Sequence, residues 1–313
     1  MIRRGRAFDA TTWLGPLRLP NPIVAASGTF GHGGEFVSLC PPGRLGAVTV
    51  KSLAVFACEG NPPLRTTEAP GGGMLNSVGL AGPGVATWIR DDLPALEASG
   101  ARIIVSIWGR SADDYAAAAS ALLAVADRVV AIEINLSCPN LDGGRHMFAL
   151  DADATAAVVR AVVAANPLPV FAKLTAVVSD LTAIARAAID AGATGLTLIN
   201  TLPGLAIDAD RRRTALGAGG GGLSGAPIKP VALRAVWECA RAFPSVPIIG
   251  TGGVGHGRDA AEMLLAGATA VGVGTATFAD PRAPARVLDE FERWCRRHRV
   301  RASGELTGGL EER

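Results

Sequence analysis

Eight short runs of β-branched and other apolar residues alternate along the chain with alanine- and leucine-rich stretches of helical period. Parallel strands need a crossover between them, and a helix is the usual one, so this alternation predicts repeated β-α units around a parallel sheet. The runs are Ile23–Ala26, Ala47–Lys51, Arg102–Ile107, Ala131–Asn135, Val170–Leu174, Gly195–Ile199, Pro247–Thr251 and Ala270–Val273. Helices are predicted over Ser111–Ala126, Asp151–Ala165, Ser179–Ala191, Ile228–Phe243 and Arg258–Ala266. Eight such units with no evident linker fit a closed (β/α)8 TIM barrel of class α/β better than two doubly wound halves. A single domain spanning residues 1–313 is expected.

Ahead of the first run, Thr12–Pro20 places Gly15-Pro16 between Trp13-Leu14 and Leu17-Arg18-Leu19. This predicts a small hairpin that plugs the N-terminal end of the barrel. Barrel enzymes carry their chemistry on the loops that follow the strands. Two of those loops are long: Cys58 to Gly84, and Thr201 to Pro227 with its run Gly219–Gly222. Loops of this length in a compact domain are lids or binding loops, and the glycine run predicts a mobile segment over the site.

Composition removes several classes of function. With 313 residues, 49% of them apolar, the chain can bury a large core. A formal net charge of +2 with interspersed signs offers no basic face for nucleic acid. Cys40, Cys58, Cys138, Cys239 and Cys295 lack the close spacing of metal or iron–sulfur ligands, so neither is expected in this chain. Met1-Ile2-Arg3-Arg4 leads into polar residues rather than an apolar signal core, which favours a reducing compartment, the cytoplasm. No apolar run approaches the roughly twenty residues of a membrane helix.

The seventh run ends in Gly250-Thr251-Gly252-Gly253-Val254 and the eighth in Gly272-Val273-Gly274-Thr275-Ala276. Loops after strands seven and eight form the usual phosphate site of such barrels, where glycines let backbone N–H groups approach the anion. Taken singly, these glycines are explained by tight turns. As a pair they favour a phosphate-bearing ligand held at Gly252, Gly253, Gly274 and Thr275. No strand–GxGxxG–helix unit opens the chain, so FMN suits the layout better than a nicotinamide dinucleotide.

Beyond the fourth run stands Asn135-Leu136-Ser137-Cys138-Pro139-Asn140, a thiol between two amides. Amides recognise planar imide groups through paired donors and acceptors. A lone cysteine is more often buried and inert, but a Cys-Pro loop at a barrel strand end favours chemistry. Lys51 and Lys173 project towards the same mouth, where an ammonium needs an anion, a flavin for one and a substrate carboxylate for the other. A surface salt bridge is the plainer alternative. Asn76 in the first long loop and Asn200-Thr201 after the sixth run add hydrogen-bonding groups around one focus.

These residues resemble the class 1 dihydroorotate dehydrogenases. The likeness runs through Ala26-Ser27-Gly28-Thr29-Phe30-Gly31, Lys51-Ser52, Gly60-Asn61-Pro62, Met74 to Leu80, Ile199 to Leu202, Gly222-Leu223-Ser224-Gly225 and Ile228-Lys229-Pro230. It covers nearly the whole chain, and Gly304-Glu305-Leu306-Thr307-Gly308 is similar to the family's last helix. The resemblance implies FMN held by Ala26, Ser27, Gly28, Lys51, Ser52, Asn135, Lys173, Ile199, Gly225, Gly252, Gly253, Gly274 and Thr275. It implies dihydroorotate held by Lys51, Asn76, Asn135, Asn140, Asn200 and Thr201, with Cys138 as the base. Asn200 to Gly204 and the Gly-Leu-Ser-Gly segment are most similar to the NAD-linked class 1B branch. There a partner subunit with FAD and a 2Fe–2S cluster joins a homodimeric core in a heterotetramer. One departure stands out: Gly79-Leu80-Ala81-Gly82-Pro83-Gly84 replaces the usual Gly-Leu-Gln-Asn-Pro-Gly.

Oxidation of dihydroorotate to orotate, a step of pyrimidine biosynthesis, removes a proton from C5 and a hydride from C6. The resemblance assigns the hydride to FMN N5 and the proton to Cys138. Among His32, His146, His256 and His298, His146 is the nearest alternative base. A thiol titrates at about 8.5 unless neighbouring charge lowers it, so the rate is expected to rise with pH. Lys173 is assigned to the flavin's pyrimidine end, where its charge favours the anionic reduced form. Three other readings are open: a fumarate-reducing class 1A homodimer, an FMN-dependent reductase of uracil-type bases, and a non-catalytic phosphate-binding barrel. A membrane-bound, quinone-using relative is disfavoured, since that class has Ser at the position of Cys138 and an amphipathic N-terminal extension.

Overall fold

The computed structural model describes residues 8–137 and 147–311. Strands β1 (Thr12–Leu14) and β2 (Leu17–Leu19) pair antiparallel, Thr12 opposite Leu19. Their turn puts Gly15 at φ +61°, a conformation that glycine adopts freely and that fits the twist of a hairpin. Next come β3 (Ile23–Ala25), β4 (Ala47–Thr49), β5 (Thr66–Ala69), β6 (Gly73–Asn76), α1 (Val85–Asp91) and α2 (Leu93–Ala98). They lead to β7 (Ile103–Ile107), α3 (Ala112–Ala121), β8 (Ala131–Asn135), α4 (Ala152–Ala165), β9 (Val170–Leu174), α5 (Leu181–Asp190) and β10 (Gly195–Leu198). Strands β11 (Leu202–Gly204), β12 (Ile207–Asp208), β13 (Arg213–Thr214) and β14 (Gly221–Gly225) follow, then α6 (Lys229–Ala242) and β15 (Ile248–Thr251). Helix α7 (Gly257–Leu265), β16 (Ala270–Val273), α8 (Ala276–Ala279) and α9 (Ala283–Arg297) complete the order.

Strands β3, β4, β7, β8, β9, β10, β15 and β16 close into one parallel barrel, a (β/α)8 fold. All eight correspond to the runs expected from the sequence, shortened by a residue or two at some ends. Lys51 illustrates why. Its backbone N–H bonds Gly31 O at 3.1 Å, and pairing with β7 resumes only at the isolated bridge between Leu53 and Ile107.

Alternation along each strand divides the side chains between two cores. Ile132, Ile134, Val170, Ala172 and Leu174 join the layer between sheet and helices. Val24, Ala47, Ile104, Ala131, Phe171, Ile249 and Ala270 instead form a second cluster with Leu14 and Leu19 of the hairpin. Those seven lie towards the strand N-termini, so the hairpin is the floor of the barrel. Leu14 and Leu19 are 0% and 1% exposed, and burying each contributes about 2 kcal/mol. Thr12 Oγ1 donates to Thr269 O at 2.8 Å and fastens the plug.

The long loops are more ordered than the sequence indicates. Strands β11, β14, β6 and β5 form a four-stranded sheet, with Asn76 opposite Gly222 and Leu75 opposite Leu223. The glycine run, expected to be mobile, instead leads into β14, where Gly221 and Gly222 are buried. The segment likened to a last helix is also different: Ser303–Glu305 is a single 3-10 turn, and the last long helix is α9. Glycines at 304, 308 and 309 disfavour a helix there, and Ser303 Oγ is anchored on Ala10 O and Thr11 O. Among the described residues no helix is long and apolar enough to cross a membrane.

The turn between β15 and α7 is pinned from outside the barrel. Asp259 accepts from the backbone N–H groups of Gly255 and His256 at 2.9 and 2.8 Å and from Lys229 Nζ at 2.7 Å. Lys229 also reaches Glu262 at 2.9 Å, tying α6 to α7. Burial pushes the Asp259 carboxyl up, but the Lys229 bond and the two backbone donors outweigh it and hold it below the ordinary range.

Two predictions follow from this framework. Leu14→Ala is expected to destabilise the fold by about 2–4 kcal/mol, read as a lower urea midpoint with an unchanged slope. Asp259→Asn is expected to cost about 2 kcal/mol at pH 7. A carboxyl lowered in the folded state adds stability above its unfolded pKa of about 3.9 and loses it as pH falls through the folded value. The gap between variant and wild type should therefore close below pH ~4; a gap constant with pH would refute this account.

Candidate active site

A cavity of about 1000 Å³ opens at the C-terminal ends of the barrel strands, at the upper end of the range for ligand pockets. Its lining includes Ala26, Ser27, Gly28, Lys51, Ser52, Asn76, Asn135, Lys173, Ile199, Asn200, Thr201, Gly225, Gly252, Gly253, Gly274 and Thr275. These are all the described residues nominated from the sequence. Cys138, Asn140 and the alternative base His146 lie outside the described residues.

The inward rows of the strands explain why polar groups gather here. Below, the rows hold Ile104, Ala131 and Phe171; one or two steps up the same strands hold Ser106, Glu133, Asn135 and Lys173. These polar groups bind one another. Asn135 Nδ2 donates to Ser52 Oγ at 3.0 Å, and Ser52 Oγ shares a hydrogen bond of 2.9 Å with Ser106 Oγ. Asn200 Nδ2 donates to Asn135 Oδ1 at 3.2 Å and to Ser137 Oγ at 3.0 Å. Tyr115, from α3, donates to Asn135 O at 2.7 Å. Asn76, held at the end of β6, donates to Gly222 O at 3.3 Å. Three nominated asparagines thus come from β6, β8 and the loop after β10, and two of them are bonded directly.

Lys173 is not the surface salt bridge that stood as its alternative. It is 6% exposed and its Nζ lies 3.4 Å from Glu133 Oε1, itself on a residue 2% exposed. Glu133, Ser106, Ser137 and Thr197 were not singled out from the sequence. A signal for Glu133 existed: a carboxylate in an otherwise apolar strand, in phase with Asn135 two positions on. Thr197 Oγ1 is buried and has no hydrogen-bond partner among the described residues.

The glycines after β15 answer two demands. Gly253 takes φ +76°, and a Cβ there would sit 2.5 Å from Lys229 Cβ, so the turn alone requires glycine. Its second effect is to leave main chain bare along the cavity wall. Gly28 differs: a Cβ there would meet nothing within 4 Å, so the position opens on space rather than on protein.

The departure at Ala81-Gly82 has a neighbour in His32. A Cβ on Gly82 would lie 3.4 Å from His32 Nε2, a buried atom with no hydrogen-bond partner among the described residues. Burial, and secondly the charge of Lys51, lower the His32 pKa, which favours the neutral ring. Among the described thiols, burial lifts Cys239 and Cys295 to about 12, which leaves them unreactive.

Comparison with known proteins shows the family of the chain. The family model described as dihydroorotate dehydrogenase matches residues 10–294. A protein of Desulforudis audaxviator is 46% identical over 292 residues, 93% of this chain and 94% of its own length. One from a Geobacter strain is 43% identical over 303 residues, 97% of this chain and 98% of its own. A third, from Bacteroides thetaiotaomicron, is 41% identical over 303 residues, 97% of this chain and 99% of its own. Each of the three is named dihydroorotate dehydrogenase B (NAD(+)), catalytic subunit. A closed barrel, a polar cavity at the strand ends and a family match across nearly the whole chain agree: this chain belongs to the dihydroorotate dehydrogenase family.

Proposed function

We propose that the chain is the catalytic subunit of an NAD-linked dihydroorotate dehydrogenase, oxidising dihydroorotate to orotate in pyrimidine biosynthesis. The observation that carries the reading is the set of amides and ammonium groups lining one cavity: Asn76, Asn135, Asn200, Lys51 and Lys173. A planar ring with imide edges and a carboxylate needs such a set, and the reading rests equally on what the relatives are named. The names also favour NAD over fumarate as the final acceptor, through a partner subunit to which we assign FAD and a 2Fe–2S cluster. We read the core as a homodimer inside a heterotetramer in the cytoplasm.

The residues present suit FMN. Bare main chain at Gly252, Gly253 and Gly274, with Thr275 beside them, suits its phosphate, and the open position at Gly28 leaves room beside Ala26 and Ser27. Ser52, Asn135, Ile199, Gly225, Lys51 and Lys173 would complete the hold. When bound, FMN supplies the hydride acceptor of the reaction.

The rest of the work falls to the chain. Asn200, fixed by Asn135 and Ser137, presents its amide in one orientation, and Asn135 is fixed by Ser52 and Tyr115 in turn. Thr201 N–H donates to Asn200 Oδ1 at 2.8 Å, which holds the amide the right way round. A ring seated among such donors loses little further freedom on reaching the transition state. Cys138 follows directly on Ser137, and we assign it the proton at C5. Asn140 we assign to the substrate with Asn76.

Anaerobic mixing with dihydroorotate is expected to bleach the flavin band of the purified protein. Cys138→Ala should keep its flavin and slow the bleaching about 10²–10⁴-fold; unchanged kinetics would remove Cys138 as base. Turnover with NAD should require the partner subunit, whereas steady turnover with fumarate by the chain alone would favour the other branch. Iodoacetamide at pH 8 should label Cys138, with orotate protecting it, and spare Cys239 and Cys295 in the folded protein.

A further inference from the structure

Glu133 is a buried charge that the proposed reaction leaves without a role. It stands on β8 one inward step below Asn135, in register with Ser106 on β7 and Phe171 on β9. Lys173 is in register with Asn135 on one side and Thr197 on the other. Lys173 lines the cavity and Glu133 does not. Among the described residues the carboxylate meets the cavity lining at the Lys173 ammonium, at 3.4 Å.

Stability alone gives little reason for this pair. A buried ion pair is often no better than apolar side chains of the same volume, because both charges lose their water. The same inward rows accept Ile104, Phe171 and Ile249 one layer down, so an apolar filling was available. What the carboxylate does is act on Lys173. Between groups this deeply buried, charge is weakly screened. An ammonium facing a flavin favours the negatively charged reduced form, and a carboxylate directly behind it opposes that effect.

We propose that Glu133 is a positioning residue that holds Lys173 and offsets its field, keeping the reduced flavin from being over-stabilised so that its electrons pass on to the next carrier. This rests on the reading that FMN occupies the cavity. Thr197, whose Oγ1 is buried and has no hydrogen-bond partner among the described residues, stands at the ladder position next to Lys173.

The test is the midpoint potential of the flavin in the purified holoenzyme, titrated against a reference dye. Glu133→Gln keeps the shape and removes the charge. It is expected to shift the flavin towards the reduced form about tenfold, a rise of ~30 mV for a two-electron couple. The KM for dihydroorotate should stay within about twofold, since Glu133 does not line the cavity. Glu133→Asp, which draws the carboxylate back, should give a smaller rise in the same direction, and it decides the matter if the Gln variant fails to hold flavin. An unchanged or lowered potential in a flavin-loaded variant overturns the proposal. A wild-type protein that takes up no flavin overturns the reading beneath it, and the two failures are thereby distinguished.

Discussion

Closing eight parallel strands into a barrel leaves an interior only wide enough for side chains, and half of every strand must point into it. The remaining features follow from how those inward positions are filled. The lower rows carry Val24, Ile104, Phe171 and Ile249, sealed from beneath by Leu14 and Leu19. The upper rows carry Ser106, Glu133, Asn135 and Lys173. One strand thus supplies both floor and ceiling: β8 begins with Ala131 in the apolar floor and ends with Asn135 in the site. Rigidity of the floor is passed to the site with no intervening loop.

A polar ceiling inside a protein is sustainable only if its members satisfy one another. Ser52, Ser106, Asn135, Ser137 and Asn200 do so through bonds of 2.9–3.2 Å. The amides cannot rotate without breaking two bonds at once, so their orientation is set before any ligand arrives. Glu133 and Lys173 extend the same layer with charge.

Much of this was legible in the sequence, and the reasons for the remainder are physical. The barrel strands showed because their outward faces pack on helices, leaving strongly apolar runs at regular intervals. The residues that line the cavity could be nominated because a lysine or asparagine at the end of such a run has few structural explanations. The four-stranded sheet over the mouth did not show, because Asn76 pairs with Gly222, 146 residues away, and nothing local encodes that meeting. Glycines at 219–222 pointed towards mobility, whereas their bareness serves close packing: a Cβ on Gly222 would collide with Thr201 and one on Gly221 with the backbone of Asn76. Glu133 went unremarked because its partner is on the neighbouring strand, 40 residues on. Cys138 and Asn140 rest on the sequence alone, on their motif and on the resemblance, since they lie outside the described residues.

The shared sheet of the two long loops bears on how such a protein can change over generations. Surface loops ordinarily absorb insertions and deletions at little cost. Here Met74, Leu75 and Asn76 are matched residue for residue against Ser224, Leu223 and Gly222, and a slip of one position would turn every side chain in the strand to its other face. A length change within either paired stretch would therefore have to be answered by one in the other, across two distant parts of the gene. Substitutions such as Ala81-Gly82, which lie beyond β6 and leave the count untouched, are the kind of variation that this coupling leaves open.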